Sequence, residues 1–303
     1  MTLSELDPEI EQEAKIFSRG SESQFRRAMR RMIHTRSAQV GLALVLTFLI
    51  IGLLAPVVWP YNARADLDLK ARLQPPTASH PFGTDDLGRD VLRRVVHGAR
   101  VSLRVAVLVV LISMTFGTML GLIAGMFGGF VDTLIMRSMD VMLSFPYVLL
   151  AIALVAALGP GLRNAMIAIG IVYIPPYARL ARSMALSIRE EDYVLAARAL
   201  GAGQRRILFT HILPNGLSPL IVMSTLSMGT AVLDAAALGF LGLGQQPPFP
   251  EWGKMLVDSM QFILSGSWWV MLFPGLAIMF TVLGFNLLGD GLRDALDPRL
   301  RIG

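Results

Sequence analysis

Residues 105–131 read VAVLVVLISMTFGTMLGLIAGMFGGFV, a run without one ionisable side chain. A helix needs about 20 largely apolar residues to cross a hydrocarbon core roughly 30 Å thick, and this run exceeds that length. Within it Gly117, Gly121 and Gly125 recur every four residues. That spacing places them on one helix face and predicts a stripe against which another helix packs closely, in this chain or in a partner.

Five further apolar runs flank it: Gln39–Trp59, Val141–Leu162, Asn164–Ala178, Ile212–Leu233 and Ser259–Gly289. The Asn164 run is the shortest, holds Pro175 and Pro176, and reaches full length only by taking in Arg179 or Arg182. Together the runs predict an all-α, polytopic membrane protein with six transmembrane helices. These fall at 38–60, about 103–128, 137–159, 164–182, 214–242 and 266–289. The first begins too far into the chain, and is too long, for a cleaved signal segment, so it reads as a retained anchor.

Composition agrees. Of 303 residues 54% are hydrophobic and only 16% charged, against about 25% charged in soluble domains. The net charge of +5 is spread mostly over loops between the apolar runs, which makes it a topology signal, not a nucleic-acid footprint. Cytoplasmic N- and C-termini put the larger share of Lys and Arg inside. Trp268 and Trp269, at the start of the last run, are expected at the interfacial aromatic belt. With no cysteine, thiolate metal sites and cysteine nucleophiles are excluded.

Between the first two spans, residues 61–100 form an outer loop. Winding 87–100 as a helix puts Leu87, Val91, Leu92, Val95, Val96 and Ala99 on one side and Arg89, Asp90, Arg93, Arg94, His97 and Arg100 on the other. This predicts an amphipathic surface helix, begun by Thr84, Asp85 and Asp86. The spacing of Asp85, Asp86 and Asp90 does not match a calcium loop, and histidines 34, 80, 97 and 211 lack metal-ligand spacing. No metal site is expected.

Inside the spans, Asp234 stands out because an ionisable group in lipid is costly. It either lines a path through the helix bundle, where its carboxylate attracts a cationic group, or is paired with a basic side chain or backbone groups. Arg137 and Asp140, three residues apart, are expected to form a local ion pair. Pro146, Pro175, Pro176 and Pro274 interrupt the runs, and no hinge is assigned to them.

The segment from Arg189 to Arg206 reads REEDYVLAARALGAGQRR, and His211-Ile212-Leu213-Pro214-Asn215 follows. Acidic residues precede a short Ala/Leu stretch, Gly201 and Gly203 stop it, and basic residues follow: a short helix presenting small side chains. The pattern is similar to the EAA loop of ABC importer permeases, with Ala196, Ala197, Gly201, Leu213 and Pro214 in register. Leu195 stands where that pattern has Glu, and His211 where it has Ile. Phe82 to Leu92, Ala236 to Gly244, Pro250 to Gly253 and Asn286 to Pro298 resemble the matching segments of peptide and nickel importer permeases, so the resemblance covers roughly 35–303.

That resemblance implies a type I permease fold in a bacterial inner membrane, with a cytoplasmic segment at 1–37, a periplasmic loop at 61–100, a core at 101–290 and a cytoplasmic tail at 291–303. The 189–214 loop would couple to an ATPase through Asp192, Ala196, Ala197, Arg198, Gly201, Arg205, Arg206, Leu213 and Pro214. It implies as partners a homologous second permease, two ABC ATPase subunits and a periplasmic or lipid-anchored peptide-binding protein, besides membrane lipid. The chain holds no Gly-x-x-x-x-Gly-Lys-Ser/Thr loop and no catalytic constellation. ATP and Mg would sit on the ATPases, leaving this subunit non-catalytic and without a cofactor. The cargo implied is a dipeptide or short peptide, with oligopeptide, nickel or glutathione systems as sister alternatives. An ion-driven secondary transporter is the rival class.

Overall fold

The computed structural model describes residues 35–62 and 65–296; the expected cytoplasmic segment before residue 35 and the tail from 297 onward lie outside them. The described residues are helical with no strand. Four helices are long and apolar enough to cross a membrane: α1 (Arg36–Val58), α2 (Val91–Phe127), a helix at Gln204–Phe240 and one at Trp269–Leu296. A bent pair, α3 (Gly129–Leu143) and α4 (Tyr147–Leu158), makes a fifth span if counted as one. The fourth expected span is divided at Tyr173 into α5 (Leu162–Val172) and α6 (Ile174–Ile188). Then follow α7 (Asp192–Ala199), α8 (Gln204–Phe240), α9 (Trp252–Ser259) and α10 (Trp269–Leu296).

Two of the six expected spans are broken, both at prolines. Pro146 has no N–H and forces the residue before it out of the helical region; α3 and α4 meet there at 93°. Pro175 and Pro176 occupy the first turn of α6, where a missing N–H costs nothing, so a new helix starts there. Pro274, in contrast, lies within the continuous α10.

The amphipathic helix expected at 87–100 is not a separate surface element. It begins at Val91, capped by the Asp90 carboxylate, which accepts from the Arg93 N–H at 3.0 Å, and it runs unbroken into the second span. The residues expected to start it do other work. Asp85 accepts from Arg89 Nε (2.7 Å) and from Arg94, all three buried, and from the backbone of Leu87 and Arg89. Trp269, expected at an interfacial belt, is 6% exposed and donates from Nε1 to the Thr84 carbonyl at 3.0 Å, while Trp268 stays exposed. Trp252, fully buried, donates to the Val95 carbonyl at 2.9 Å. The loop before α2 and the α9 segment are thereby packed as a cap over α2 and α10. Glu251 opens α9 by accepting from the N–H groups of Gly253 and Lys254, and burial pushes its carboxyl above the usual glutamate range despite those bonds.

The glycine stripe packs within the chain. A Cβ on Gly117 would meet Tyr177 Cβ at 2.5 Å, one on Gly125 would meet Ala185 Cβ at 2.7 Å, and one on Gly121 would overlap the Ala178 carbonyl oxygen. The α6 helix lies directly along α2 because both surfaces are small there.

Candidate functional site

The segment that joins α6 to α8 is built around one buried side chain. Val194, at 0% exposure, sinks into a cluster with Leu122, Ala181, Ala185, Ile207 and Ile212. This pins α7 against the ends of α2, α6 and α8. Asp192 lies in the first turn and Arg198 in the last, each with the sign that the helix dipole favours. The C-terminus closes in a Schellman pattern: Ala202 N–H donates to the Ala197 carbonyl and Gly201 N–H to the Arg198 carbonyl, both at 3.0 Å. That geometry requires a left-handed residue after the cap, and Gly201 takes it with φ +82°.

With Val194 facing inward, Asp192, Ala196, Arg198, Gly201, Arg205 and Arg206 are exposed, Ala197 is partly so, and none of the arginines has an ion-pair partner among the described residues. Leu213 is half-buried and Pro214 exposed at the entry to the long apolar part of α8. Proline cannot donate to the preceding turn, and Ile207–Ile212 widens into a π-turn just before it, one way a helix absorbs that loss. Leu200 was not singled out from sequence, yet it is 89% exposed at the tip of the loop, and Tyr193 and Leu195 are exposed beside it. Their signal was the apolar residues left over once Val194 is assigned inward. Asn215 donates to the Tyr193 hydroxyl at 3.2 Å and to the His211 carbonyl at 2.6 Å, linking both ends of the loop. Burial, then the Glu191 charge, pushes the Tyr193 phenol above its ordinary value.

A second polar site lies in the membrane-spanning part. Asp234 on α8 accepts from the Tyr173 hydroxyl at 2.5 Å, and Tyr147 lines the same crevice as Asp234. Its hydrogen-bond partner is thus a phenol, not the basic side chain or backbone groups expected of a paired aspartate. Tyr173 marks the α5/α6 break and Tyr147 follows the α3/α4 break, so both interruptions converge on one carboxylate. A crevice lined by Tyr147, Ile169, Tyr173 and Leu238 opens beside it, and Tyr147 is exposed.

The local pair expected between Arg137 and Asp140 does not form. Asp140 instead accepts from Arg179 of α6 at 2.6 Å, and Asp132 holds Arg182 of the same helix through both oxygens. An i,i+3 partner was available, but α6 brings a guanidinium across from the neighbouring helix. Among the described residues, no group of three or more potential ligands is placed to hold a metal ion; Asp90 meets His80 at 2.8 Å instead.

Residues 117–302 match the model of the binding-protein-dependent transport system inner membrane component family, and residues 23–76 that of the N-terminal TM domain of oligopeptide transport permease C. The chain is 54% identical to the dipeptide transport system permease protein DppC of Alkalihalophilus pseudofirmus, over 92% of this chain and 91% of that one. It is 49% identical to the di/tripeptide transport system permease protein DppC of Pseudomonas aeruginosa, over 88% and 90%. With the DppC of Escherichia coli it shares 53%, over 88% and 90%. Among solved structures, an inward-facing form of the methionine ABC transporter MetNI superposes with a TM-score of 0.55 at 19% identity, covering 68% of this chain and 97% of that one.

Proposed function

The chain belongs to the binding-protein-dependent transport system inner membrane component family, and from that premise we propose that it forms half of the translocation path of an ABC importer that carries dipeptides or short peptides inward. It is a membrane permease subunit of such an importer. The cargo is inferred from the dipeptide and di/tripeptide names of relatives that match nearly end to end. A second permease, two ATPases carrying ATP and Mg, and a peptide-binding protein complete the complex in this reading. Both termini are cytoplasmic, and the subunit has no chemistry of its own.

One observation carries the coupling assignment: the inward anchor Val194 and the Schellman turn at Gly201 hold α7 with its small and apolar face outward. An exposed face of Ala196, Leu195 and Leu200 flanked by Arg198, Arg205 and Arg206 suits a groove with an acidic rim on a partner. Asp192 starts that helix, while Leu213 and Pro214 fix the exit into α8. We assign Asp234 to the translocation path, its carboxylate held by Tyr173 and turned toward the exposed Tyr147.

The test is a tagged purification from detergent-solubilised membranes, repeated with residues 190–206 scrambled. Co-purification of an ATPase and a second permease with the native loop, and loss of the ATPase with the scrambled one, is the expected result. A chain that purifies alone and transports after reconstitution without ATP would instead be an ion-driven carrier.

A further inference from the structure

Between α3 and α6 lies a cavity of about 500 Å³, within the range of small-ligand sites, where three arginines face two aspartates. The pairs Asp132–Arg182 and Asp140–Arg179 use both carboxylates. Arg137 lines the same space and has no ion-pair or hydrogen-bond partner among the described residues. It stands eight residues into α3, about 12 Å along the axis at 1.5 Å per residue. Its side chain is exposed into this space, so the charge is free to meet an anion that enters it. The nearest carboxylate in sequence, Asp140, is turned away from it toward α6.

We propose that this cavity is a station for the C-terminal carboxylate of the transported peptide, with Arg137 as its standing partner and Arg179 as a second donor. The inference rests on the peptide cargo proposed above. The excess guanidinium selects an anion, and a planar fork matches a carboxylate through two parallel hydrogen bonds. Arg179 can join at little cost: it and Asp140 are 54% and 48% exposed, and exposed ion pairs contribute little. An incoming carboxylate takes over what Asp140 donated to the balance. Asp132 and Arg182, more shielded, keep the two helices together meanwhile. Because α6 leads through three residues into α7, occupancy of this cavity is felt on the helix that joins the coupling loop.

The assembled complex, without binding protein and in nanodiscs of neutral lipid, is titrated with alanyl-alanine and with alanyl-alanine amide. The free acid should bind at least tenfold more tightly than the amide. Arg137→Gln should bring the acid down to the amide's affinity and leave the amide unchanged, with Arg137→Lys restoring part of the difference. Equal binding of acid and amide to the wild type, no detectable binding of either, or an acid preference that survives Arg137→Gln overturns the proposal. So does an Arg137-dependent gain in thermal stability from anionic lipid with no response to the dipeptide, which makes the cavity a headgroup site. Import of alanyl-alanine by the wild-type complex with its binding protein, in ATP-loaded proteoliposomes, is measured alongside. Import without acid preference sinks this inference alone; failure to import any short peptide sinks the peptide reading itself.

Discussion

Gly201 lets the coupling loop be perturbed through its backbone without touching its exposed face. Its φ is +82°, and nothing lies within 4 Å of where a Cβ would stand. In this chain, therefore, the demand at position 201 is conformational and not steric. The left-handed region costs an L-residue roughly 1–2 kcal/mol, about 5–30-fold in an equilibrium constant. Undocked, the Schellman turn can relax; docking must restore it, so the strain appears as weaker ATPase binding. Gly201→Ala and Gly201→Leu should then weaken binding by the same factor of about 5–30, while Gly201→Asn, which visits this region more readily, should fall nearer to wild type. The assay is titration of purified ATPase subunit onto the permease pair, with peptide-stimulated ATP hydrolysis as a second readout. Leu far weaker than Ala would mean that a partner surface closes on Gly201 and size governs. Three variants indistinguishable from wild type would remove the turn from the coupling machinery.

Gly121→Val drives side-chain atoms into the Ala178 backbone; overpacking of this kind costs about 1–3 kcal/mol, and the thermal midpoint and yield of assembled complex should both drop. Glu251→Gln should change the pH response of the outer cap. A carboxyl whose folded-state value lies above its unfolded one contributes stability that is lost as pH rises through the folded value. Wild type should therefore lose thermal stability as pH rises from the ordinary glutamate range through the raised folded-state value and then level off, and the Gln variant should lack that decline. Asp234→Asn should cut peptide uptake with assembly intact, since Asn still accepts from Tyr173; normal uptake by the assembled variant would leave Asp234 a structural role only.

The apolar runs were legible because crossing lipid imposes length and composition on each segment separately. What lay beyond reach was set between segments. Pro146 and the Pro175–Pro176 pair signal interruption, but a static kink within one span and a 93° turn between two helices carry the same local sequence. Gly117, Gly121 and Gly125 announced a close approach, and Ala178, Ala181 and Ala185 are the small residues that answer it, yet nothing local names them as partners. Asp140 shows the cost of that gap: Arg137 was three residues away, and Arg179 became its neighbour only because the glycine stripe fixes where α6 runs. In the 189–206 segment, spacing predicted the short helix, whereas the choice of Val194 over Leu195 as the inward anchor depends on how α7 meets α2 and α6. The burial of Trp269 was not legible because its partner, the Thr84 carbonyl, is reached only once the loop before α2 folds over it.

The α6 helix joins these features mechanically. Along α2 it is locked by backbone-to-backbone approach, where even one added methyl group at Gly121 cannot be accommodated. Toward α3 it is held chiefly by Arg179 and Arg182, one of whose pairs is half exposed, and such pairs contribute only about 0–1 kcal/mol each. A displacement transmitted from α7 therefore meets far less resistance at the α3 face than at the α2 face. The α2–α6 pair should move as one body, opening or closing the arginine-lined cavity, with the α3/α4 and α5/α6 breaks as the places where the chain bends.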